Sequence, residues 1–241
     1  MNILDSIKTS ILTPIHPAGI PFIAIFFILT IIIGWIWSPL YYVGFTLTLW
    51  CIYFFRNPHR TTPTLSGSNK NNLIISPADG TVIEISKITP AEDIGLPQGQ
   101  WTRVCIFMNV FDVHVNRSPM QGQITYKKYI PGSFLNASLD KASDKNERLI
   151  LNMDADNGNK IAFVQIAGLV ARRIICDVDI GHSLKAGEVF GLIRFGSRVD
   201  IYFPSEVSVM VLKGQKMIAG ETIIGDFSKN AKPVKEITDE K

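Results

Sequence analysis

The chain has 241 residues, enough for one sizeable domain and an appendage. Its hydrophobic content of 46% and charged content of 19% are unusual for a soluble domain, and the uncharged stretch from Thr9 to Phe55 accounts for the excess. The net charge of +3 comes without a basic stripe of interleaved aromatic residues. This argues against a nucleic-acid partner and fits weak attraction to an anionic membrane surface.

Two apolar runs near the N-terminus predict a membrane hairpin. Residues 20–37 form a run of 18 residues and residues 40–55 a run of 16, with Ser38-Pro39 between them. Each approaches the roughly 20 residues that a helix needs to cross a bilayer. A removable signal peptide fits poorly, because a charged n-region and a small-residue cleavage site are missing. The alternative is a helical pair buried in a soluble core, although nothing polar patterns either run.

The charges beside the hairpin predict its topology. Lys8 precedes it, and Arg56 and Arg60 follow it, so the positive-inside tendency places both ends and the remainder of the chain on the cytoplasmic side. The hairpin either spans the membrane twice or dips into one leaflet. We assign residues 1–60 to this hairpin and residues 61–72 to a polar linker.

Short β-branched runs, mostly bounded by Gly, Pro, Asn or Asp, fill residues 73–229, and a polar tail of residues 230–241 follows. The pattern predicts a mainly β fold, a β-sandwich or barrel-like domain behind the N-terminal α-helical hairpin. The predicted strands are 73–76, 80–85, 104–108, 112–116, 122–129, 148–154, 160–167, 174–178, 189–195, 199–203 and 207–212.

The cysteines indicate the redox compartment. Cys51, Cys105 and Cys176 form no close pair and have no metal-ligand spacing. We therefore expect buried thiols in a reducing compartment, with no disulfide framework and no metal site.

His114 differs from the other three histidines in its surroundings. It lies in the predicted strand 112–116, where alternation puts Asp112, His114 and Asn116 on one face and two valines on the other. A polar face inside an apolar segment needs partners or a function. His114 is therefore a candidate base, with a hydrogen-bonded core histidine as the alternative.

Ser197 and Asp79 are the other candidate catalytic residues. Ser197 directly follows Gly196 at the end of an apolar strand, and the glycine leaves its own carbonyl unshielded for attack by the serine hydroxyl. The hydroxyl needs a base, and a carboxylate can hold that base in the right tautomer. Asp79 could do so, although Asp79-Gly80 is also a common turn signal. A Gly-x-Ser-x-Gly elbow is missing from the sequence, which argues against an α/β-hydrolase.

Several motifs, in order along the chain, resemble the short bacterial type of phosphatidylserine decarboxylase. The main ones are Ser-Pro-Ala-Asp-Gly at 76–80, Phe-Asp-Val-His-Val-Asn-Arg-Ser-Pro at 111–119 and Phe-Gly-Ser-Arg-Val-Asp-Ile-Tyr-Phe-Pro at 195–204. Further matching blocks lie at 15–23, 54–58, 131–137, 140–143 and 146–148. The resemblance runs from about residue 16 to about residue 225, and the agreement of independent motifs makes it specific.

The resemblance implies a self-processing enzyme. Ser197 Oγ attacks the Gly196 carbonyl, the ester undergoes β-elimination, and loss of ammonia leaves a pyruvoyl group at position 197 as the cofactor. His114 is the implied base and Asp79 its orienter. The products are a large β chain, residues 1–196, and a small α chain of 45 residues, 197–241. They are expected to stay together as a heterodimer, which could assemble further.

The resemblance also implies the reaction: decarboxylation of phosphatidylserine to phosphatidylethanolamine and CO₂, in phospholipid biosynthesis at the cytoplasmic side of a bacterial inner membrane. The substrate amine forms a Schiff base with the pyruvoyl group, which accepts the electrons left by CO₂. Longer relatives carry a His-x-x-His pair; here His114 takes the first place and Arg117 the second, which leaves the proton donor open. Arg198 and Arg117 are candidate ligands for the lipid phosphate or carboxylate. Phe134 and Asn136 are candidate lipid-site residues.

Two other functions stay open at this point. One is a pyruvoyl decarboxylase of a soluble amino acid, against which the uncharged hairpin argues. The other is a membrane-tethered β-sandwich carrier or adaptor without enzymatic activity. Gly214-Gln215-Lys216-Met217 matches the lipoyl-type site of such a carrier only loosely.

Overall fold

The computed structural model describes residues 13–66, 71–133, 145–168, 173–194, 196–228 and 231–234. The chain divides into two compact units: Met1–His59 with Phe111–Val115, and Arg60–Val110 with Asn116–Lys241. The first unit contains the α-helices and the second is built from strands. The predicted mainly β fold, preceded by an N-terminal apolar helical hairpin, is confirmed.

The helical unit contains α1 (Ile20–Ile36) and α2 (Leu40–Phe54), which follow a 3-10 turn at Pro17–Gly19. Pro39 stands at the N-cap of α2, where its missing N–H removes no helical hydrogen bond. Both helices lack acidic residues in the first turn and basic residues in the last. Their cohesion therefore depends on packing and on the apolar surroundings rather than on capping charges.

Small residues and hydroxyls allow α1 and α2 to pack closely. A Cβ on Gly44 would lie 2.5 Å from Thr30 Oγ1, and one on Gly34 would overlap the ring of Tyr41. The hydroxyls of Thr30 and Thr48 lie 3.4 Å apart, and each also donates to a carbonyl one turn earlier in its own helix. Contacts of this kind are common where apolar helices meet in lipid.

The outward faces of the hairpin are apolar and exposed. Trp35 is 87% exposed and Tyr42 is 80% exposed. Pro17–Ile36 is long and apolar enough to cross a membrane by length and composition, and Leu40–Phe54 is a shorter apolar helix. Exposed apolar surface on this scale marks an interaction site, so the hairpin supports membrane association of the protein.

The described residues of the chain form fourteen strands in three sheets. They are β1 (Leu73–Ile75), β2 (Gly80–Ile88), β3 (Trp101–Met108), β4 (Val115–Arg117), β5 (Gly122–Ile130), β6 (Arg148–Ala155), β7 (Lys160–Ala167), β8 (Ile174–Cys176), β9 (Ser183–Leu184), β10 (Val189–Ile193), β11 (Ser197–Pro204), β12 (Ser208–Val209), β13 (Lys216–Met217) and β14 (Ile223–Asp226). The largest sheet has the order β13-β2-β3-β11-β7-β6-β5-β9. The two smaller sheets have the orders β1-β14-β12 and β4-β10-β8.

β11 lies in the interior of the eight-stranded sheet. It pairs antiparallel with β3 on one side and with β7 on the other, and Ser197 lies opposite both Met108 and Ala167. Val199 and Ile201 belong to the main hydrophobic core, whereas Tyr202 belongs to a smaller apolar cluster. Because side chains alternate along a strand, the sheet has a main-core face and an opposite face.

The structure corrects several predicted strand boundaries. The predicted strand 112–116 begins only at Val115, since residues 110–112 form a turn and a bend, so the expected alternation of Asp112, His114 and Asn116 on one strand is wrong. The predicted strand 189–195 ends at Ile193. β9, β13 and β14 go beyond the prediction, because strands of two to four residues are too short to show alternation.

Candidate active site

The Gly196–Ser197 step lies at the start of β11. Gly196 has a φ of +61°, in the left-handed region that favours glycine, and apart from its chain neighbours no described atom lies within 4 Å of the position that a Cβ would take. Ser197 is fully buried, and its Oγ has no hydrogen-bond partner among the described residues. The hydroxyls of Ser86 and Thr102 are also buried without such a partner, so it is the position of Ser197 directly after a glycine of positive φ that fits a reacting hydroxyl.

The alternation along β11 separates Ser197 from the residue that follows it. Ser197 lies two and four residues before Val199 and Ile201, whose side chains belong to the main core. Its side chain therefore lies on the main-core face, and those of Arg198 and Asp200 lie on the opposite face.

Arg198 and Asp200 form a buried ion pair. Arg198 Nε lies 2.7 Å from Asp200 Oδ1, and Nη2 donates to Oδ2 at 2.8 Å. Both residues are fully buried. Burial lowers the pKa of Arg198, but the Asp200 carboxylate outweighs it and the net shift is upward. A guanidinium held in this way gives no support to the headgroup contact expected of Arg198, which stays a prediction.

The Asp79 carboxylate lies in the turn before β2, where it contacts Arg60 and the backbone of Ala219. Arg60 Nη2 lies 3.0 Å from Oδ1 and 2.8 Å from Oδ2, and the Ala219 N–H donates to Oδ1 at 2.7 Å. A Cβ on Gly80 would overlap the carbonyl of Phe107, which explains the glycine at that position. The role of Asp79 toward His114 stays a prediction.

Arg117 lies beside the Asp79–Arg60 pair. Its Nη1 donates to the Gly187 carbonyl at 3.0 Å. Burial and the nearby Arg60 charge lower the pKa of Arg117, while Asp79 and Glu221 oppose that shift. Two neighbouring guanidinium groups can attract a phosphate or carboxylate, so the headgroup contact expected of Arg117 stays a prediction with local support.

His114 lies in the helical unit. Its ring centroid is 4.3 Å from that of Phe54, in the last turn of α2. Arg56, just after that helix, donates from Nη2 to the Phe111 carbonyl at 2.9 Å and so ties down the segment that carries His114. The hairpin and the candidate base therefore belong to one structural unit.

The surroundings of His114 determine its protonation. Burial is the main cause of the low pKa of His114, which is about 4. The nearby Arg56 charge lowers the pKa further, and the hydrogen bond with the Asp112 backbone raises it. Nδ1 lies 3.0 Å from the Asp112 carbonyl, and Nε2 is buried with no partner among the described residues. A neutral ring that donates from Nδ1 presents Nε2 as an acceptor, as a general base requires.

A pair of amide side chains lies within the β unit near Ser197. Gln165 donates from Nε2 to Asn116 Oδ1 at 2.8 Å, and Asn116 Nδ2 lies 3.7 Å from Met108 Sδ. Gln165 is 1% exposed and Asn116 is 0% exposed. In the described ranges Gln165 Oε1 has no hydrogen-bond partner. Since Met108 lies opposite Ser197, the pair is placed beside the end of β11 that carries the serine.

The structure thus distributes the predicted site residues over two units. The β unit holds Asp79, Arg117, Gly196, Ser197 and Arg198, and the helical unit holds His114. Phe134 and Asn136 lie outside the described residues. Arg60 and Gln165 were not predicted as site residues. A polar glutamine inside the apolar run 160–167 could have indicated Gln165, whereas nothing beyond its charge indicated Arg60.

Two observations concern metals and thiols. Across the part of the chain that the structure describes, no group of three or more His, Cys, Asp or Glu side chains is placed to hold a metal ion. Cys51, Cys105 and Cys176 are free thiols, and the first two are buried.

A comparison with protein families identifies the protein. A family model described as phosphatidylserine decarboxylase matches residues 47–225, well over half of the chain, and the match includes Asp79, His114 and the Gly196–Ser197 step. The protein is therefore a carboxy-lyase. It belongs to the phosphatidylserine decarboxylase family, which confirms the predicted family, enzyme class and place in phospholipid synthesis. The short bacterial type stays a prediction.

Proposed function

We propose that this protein is a membrane-associated phosphatidylserine decarboxylase that makes a pyruvoyl group from its own Ser197. The observation that carries the proposal is the buried Ser197 hydroxyl, without a partner among the described residues, directly after a glycine with positive φ. The family match supports phosphatidylserine as the substrate. The exposed apolar hairpin supports a substrate that resides in the bilayer.

The first proposed reaction breaks the Gly196–Ser197 peptide bond. Ser197 Oγ loses its proton to a base and attacks the Gly196 carbonyl carbon; the C–N bond then breaks as the Ser197 nitrogen takes up a proton, leaving an ester. Removal of the Ser197 Cα proton expels the Gly196 carboxylate from Cβ and leaves dehydroalanine. One water then hydrolyses its imine tautomer, which releases ammonia and leaves a ketone.

His114 is the proposed base for this reaction. Its pKa of about 4 keeps the ring neutral, and Nε2 is available as an acceptor. Asp79 is proposed as its orienting carboxylate, in exchange for the Asp112 carbonyl that accepts from Nδ1. The two contacts with Arg60 hold the Asp79 carboxylate in place.

The residues around position 197 fit a pyruvoyl group. Ser197 is fully buried, and its strand is hydrogen-bonded to β3 and β7, so a carbonyl formed there would be held in position. The group supplies an electrophilic carbonyl that condenses with the substrate amine and accepts the electron pair released when CO₂ leaves. Arg117 is proposed to attract the anionic headgroup, with support from its neighbour Arg60.

We further propose that the enzyme resides at the bacterial inner membrane with the β unit on the cytoplasmic side. The support is the cationic residues on either side of the hairpin in the sequence: Lys8 before it, and Arg56 and Arg60 after it. The mature form is proposed to be a heterodimer of a β chain, residues 1–196, and an α chain, residues 197–241.

Intact-mass analysis of the purified protein tests the proposal. Two chains are expected, and the smaller one should be blocked to Edman degradation at position 197. Ser197→Ala should remain one chain and be inactive. CO₂ release from serine phospholipid in vesicles, but not from free serine, should distinguish the proposed enzyme from a decarboxylase of soluble amino acids. A single unprocessed chain with full activity would contradict the pyruvoyl mechanism.

Variants of the proposed base and its orienter test the residue assignment. His114→Ala and Asp79→Asn are both expected to slow self-cleavage, and His182→Ala, in an exposed turn, is the matched histidine control. Cleavage of both variants at the wild-type rate would show that the assignment is wrong.

A further inference from the structure

We infer that Gln165, held in place by Asn116, binds the substrate by accepting a hydrogen bond from the amine of the serine headgroup. The inference rests on the proposed function, since it concerns the reaction at position 197. It assigns a role to a residue that belongs to neither the predicted nor the proposed catalytic set.

The strand registers place Gln165 next to Ser197. Ala167 of β7 lies opposite Ser197 and Gln165 lies opposite Val199, so Gln165 is the diagonal neighbour of Ser197 on the same face of the sheet. Diagonal neighbours of this kind are within reach of a long side chain. On the other side of β11, Met108 lies opposite Ser197 and its sulfur contacts Asn116 Nδ2. Gln165 thus borders Ser197 from β7, and Asn116, on β4 of another sheet, reaches the same place through its contacts with Gln165 and Met108.

The hydrogen bonds within the amide pair leave one strong acceptor, Gln165 Oε1, without a donor among the described residues. Gln165 Nε2 donates to Asn116 Oδ1, which fixes the orientation of the Gln165 side chain. Asn116 Nδ2 meets a thioether, which is a weak acceptor. Gln165 Oε1 is buried and has no partner among the described residues. A buried carbonyl without a donor destabilises the fold. Asn152 Oδ1 is in the same state on another strand, so it is the position of Gln165 Oε1 beside Ser197 that points to a ligand as its donor.

The chemistry of the reaction selects the ligand group. Self-cleavage removes the Ser197 oxygen, so the serine hydroxyl cannot serve as the donor in the mature enzyme. Of the polar groups in a serine phospholipid headgroup, the amine carries N–H donors, whereas the phosphate and the ionised carboxylate only accept. A neutral amide oxygen also suits this task, because a carboxylate in its place would stabilise the protonated, unreactive amine.

Gln165→Met tests the inference, because it preserves the shape of the side chain and removes the acceptor. The variant is expected to split into two chains, to bind hydroxylamine stoichiometrically at position 197, and to lose about 10- to 100-fold in kcat/KM for serine phospholipid. Borohydride-dependent attachment of ethanolamine to position 197, measured by mass at subsaturating amine, should fall by a similar factor. Asn152→Met is the matched control, because Asn152 is a buried amide with an unpartnered Oδ1 in the described ranges on another strand.

Gln165→Glu provides a second readout that a purely structural role would not change. Its carboxylate can bond to Asn116 once the Asn116 amide turns over and donates from Nδ2. In the substrate complex the carboxylate stabilises the protonated amine, so the acid side of the pH profile of kcat should shift upward by about one unit or more. Asn152→Asp should leave the profile in place. Any of three results would overturn the inference. The first is a processed Gln165→Met with wild-type kcat/KM and wild-type ethanolamine attachment. The others are an equal loss in Asn152→Met and an unshifted pH profile in Gln165→Glu. A wild-type chain that never splits would instead overturn the proposed function.

Discussion

At position 114 the imidazole is kept neutral by apolar surroundings that include Phe54. Its pKa of about 4 means that the ring can accept a proton at any physiological pH. The same low pKa makes it a weaker base than an exposed histidine, so its contribution must depend on position more than on basicity. Two measurements follow from this state of the ring.

The first measurement is the pH dependence of self-cleavage. We expect the rate to stay level as the pH falls from about 8 to about 5.5 and to decline only near pH 4, where the buried ring takes up a proton. The appearance of the two chains on denaturing gels measures it. Arg56→Met should move the decline to higher pH, because the Arg56 charge lowers the pKa of His114. A decline centred near pH 6.5 in the wild type would contradict the assignment.

The second measurement is the pH dependence of stability. The unfolded chain protonates His114 near its ordinary pKa of 6.5 and the folded chain only near 4, so stability is lost as the pH falls through that interval. The loss from this group approaches about 3 kcal/mol at the acid end. Urea unfolding of the Ser197→Ala precursor, with and without His114→Phe, measures it. A difference between the two proteins that does not change with pH would count against burial of the ring.

The ion pair of Arg198 and Asp200 should dominate local stability on the other face of β11. Asp200→Asn leaves the guanidinium buried without its counter-charge and is expected to cost about 3–5 kcal/mol. Urea unfolding of the Ser197→Ala precursor measures the loss. Asp154→Asn, which breaks a half-exposed pair with Lys160, should cost at most about 1 kcal/mol. Equal costs for the two variants would show that burial adds nothing to the Arg198 pair.

Among the elements, α1 is distinguished by the number of its exposed apolar side chains. Ile28 and Ile32 are 54% and 53% exposed, and they lie one turn apart on the same face of the helix. A helix of this kind is stable in lipid and costly to expose to water. We therefore predict that the hairpin attaches the protein to the membrane.

Charged residues on α1 test that prediction. Ile28→Lys with Ile32→Lys is expected to reduce flotation with vesicles of anionic phospholipid at least about tenfold, since each lysine opposes insertion by about 3 kcal/mol at the centre of a bilayer. Tyr129→Lys, an exposed position on β5, serves as the control for added charge. Unchanged flotation of the double variant would place the membrane contact elsewhere.

In the whole molecule, the proposed cut would leave one fold made of two chains. The part that follows Ser197 contributes β11 between β3 and β7, β13 beside β2, and β14 beside β1. Residues 197 to 203 of β11 are all buried. The two chains are therefore joined by several strand pairings and by a shared core, none of which the cut removes.

Native and denaturing mass spectrometry of the same sample should show this association. We expect one species with the summed mass of residues 1–196 and 197–241 under native conditions, and two separate chains in denaturant. Loss of the smaller chain during gel filtration in native buffer would contradict the role of β11 as the joint between the chains.

Much of this architecture could be predicted from the sequence, because its determinants are local. Apolar run length defines α1 and α2, and alternation or β-branched composition defines most of the long strands. The same reasoning gave a wrong prediction for the segment around His114. Its alternating residues resemble a strand, but the first residues form a turn and bend next to the end of α2, and only packing against Phe54 reveals that.

The sequence by itself determined the mainly β fold, the apolar hairpin and the family-defining motifs around Asp79, His114 and Ser197, since each depends on neighbouring residues. The tertiary structure decided which groups those residues meet. It pairs the Asp79 carboxylate with the Arg60 guanidinium, 19 residues away in the sequence, and it bonds the Gln165 amide to that of Asn116, 49 residues away. Contacts between distant residues depend on how strands pair and on which face each side chain lies, and no local pattern encodes those pairings.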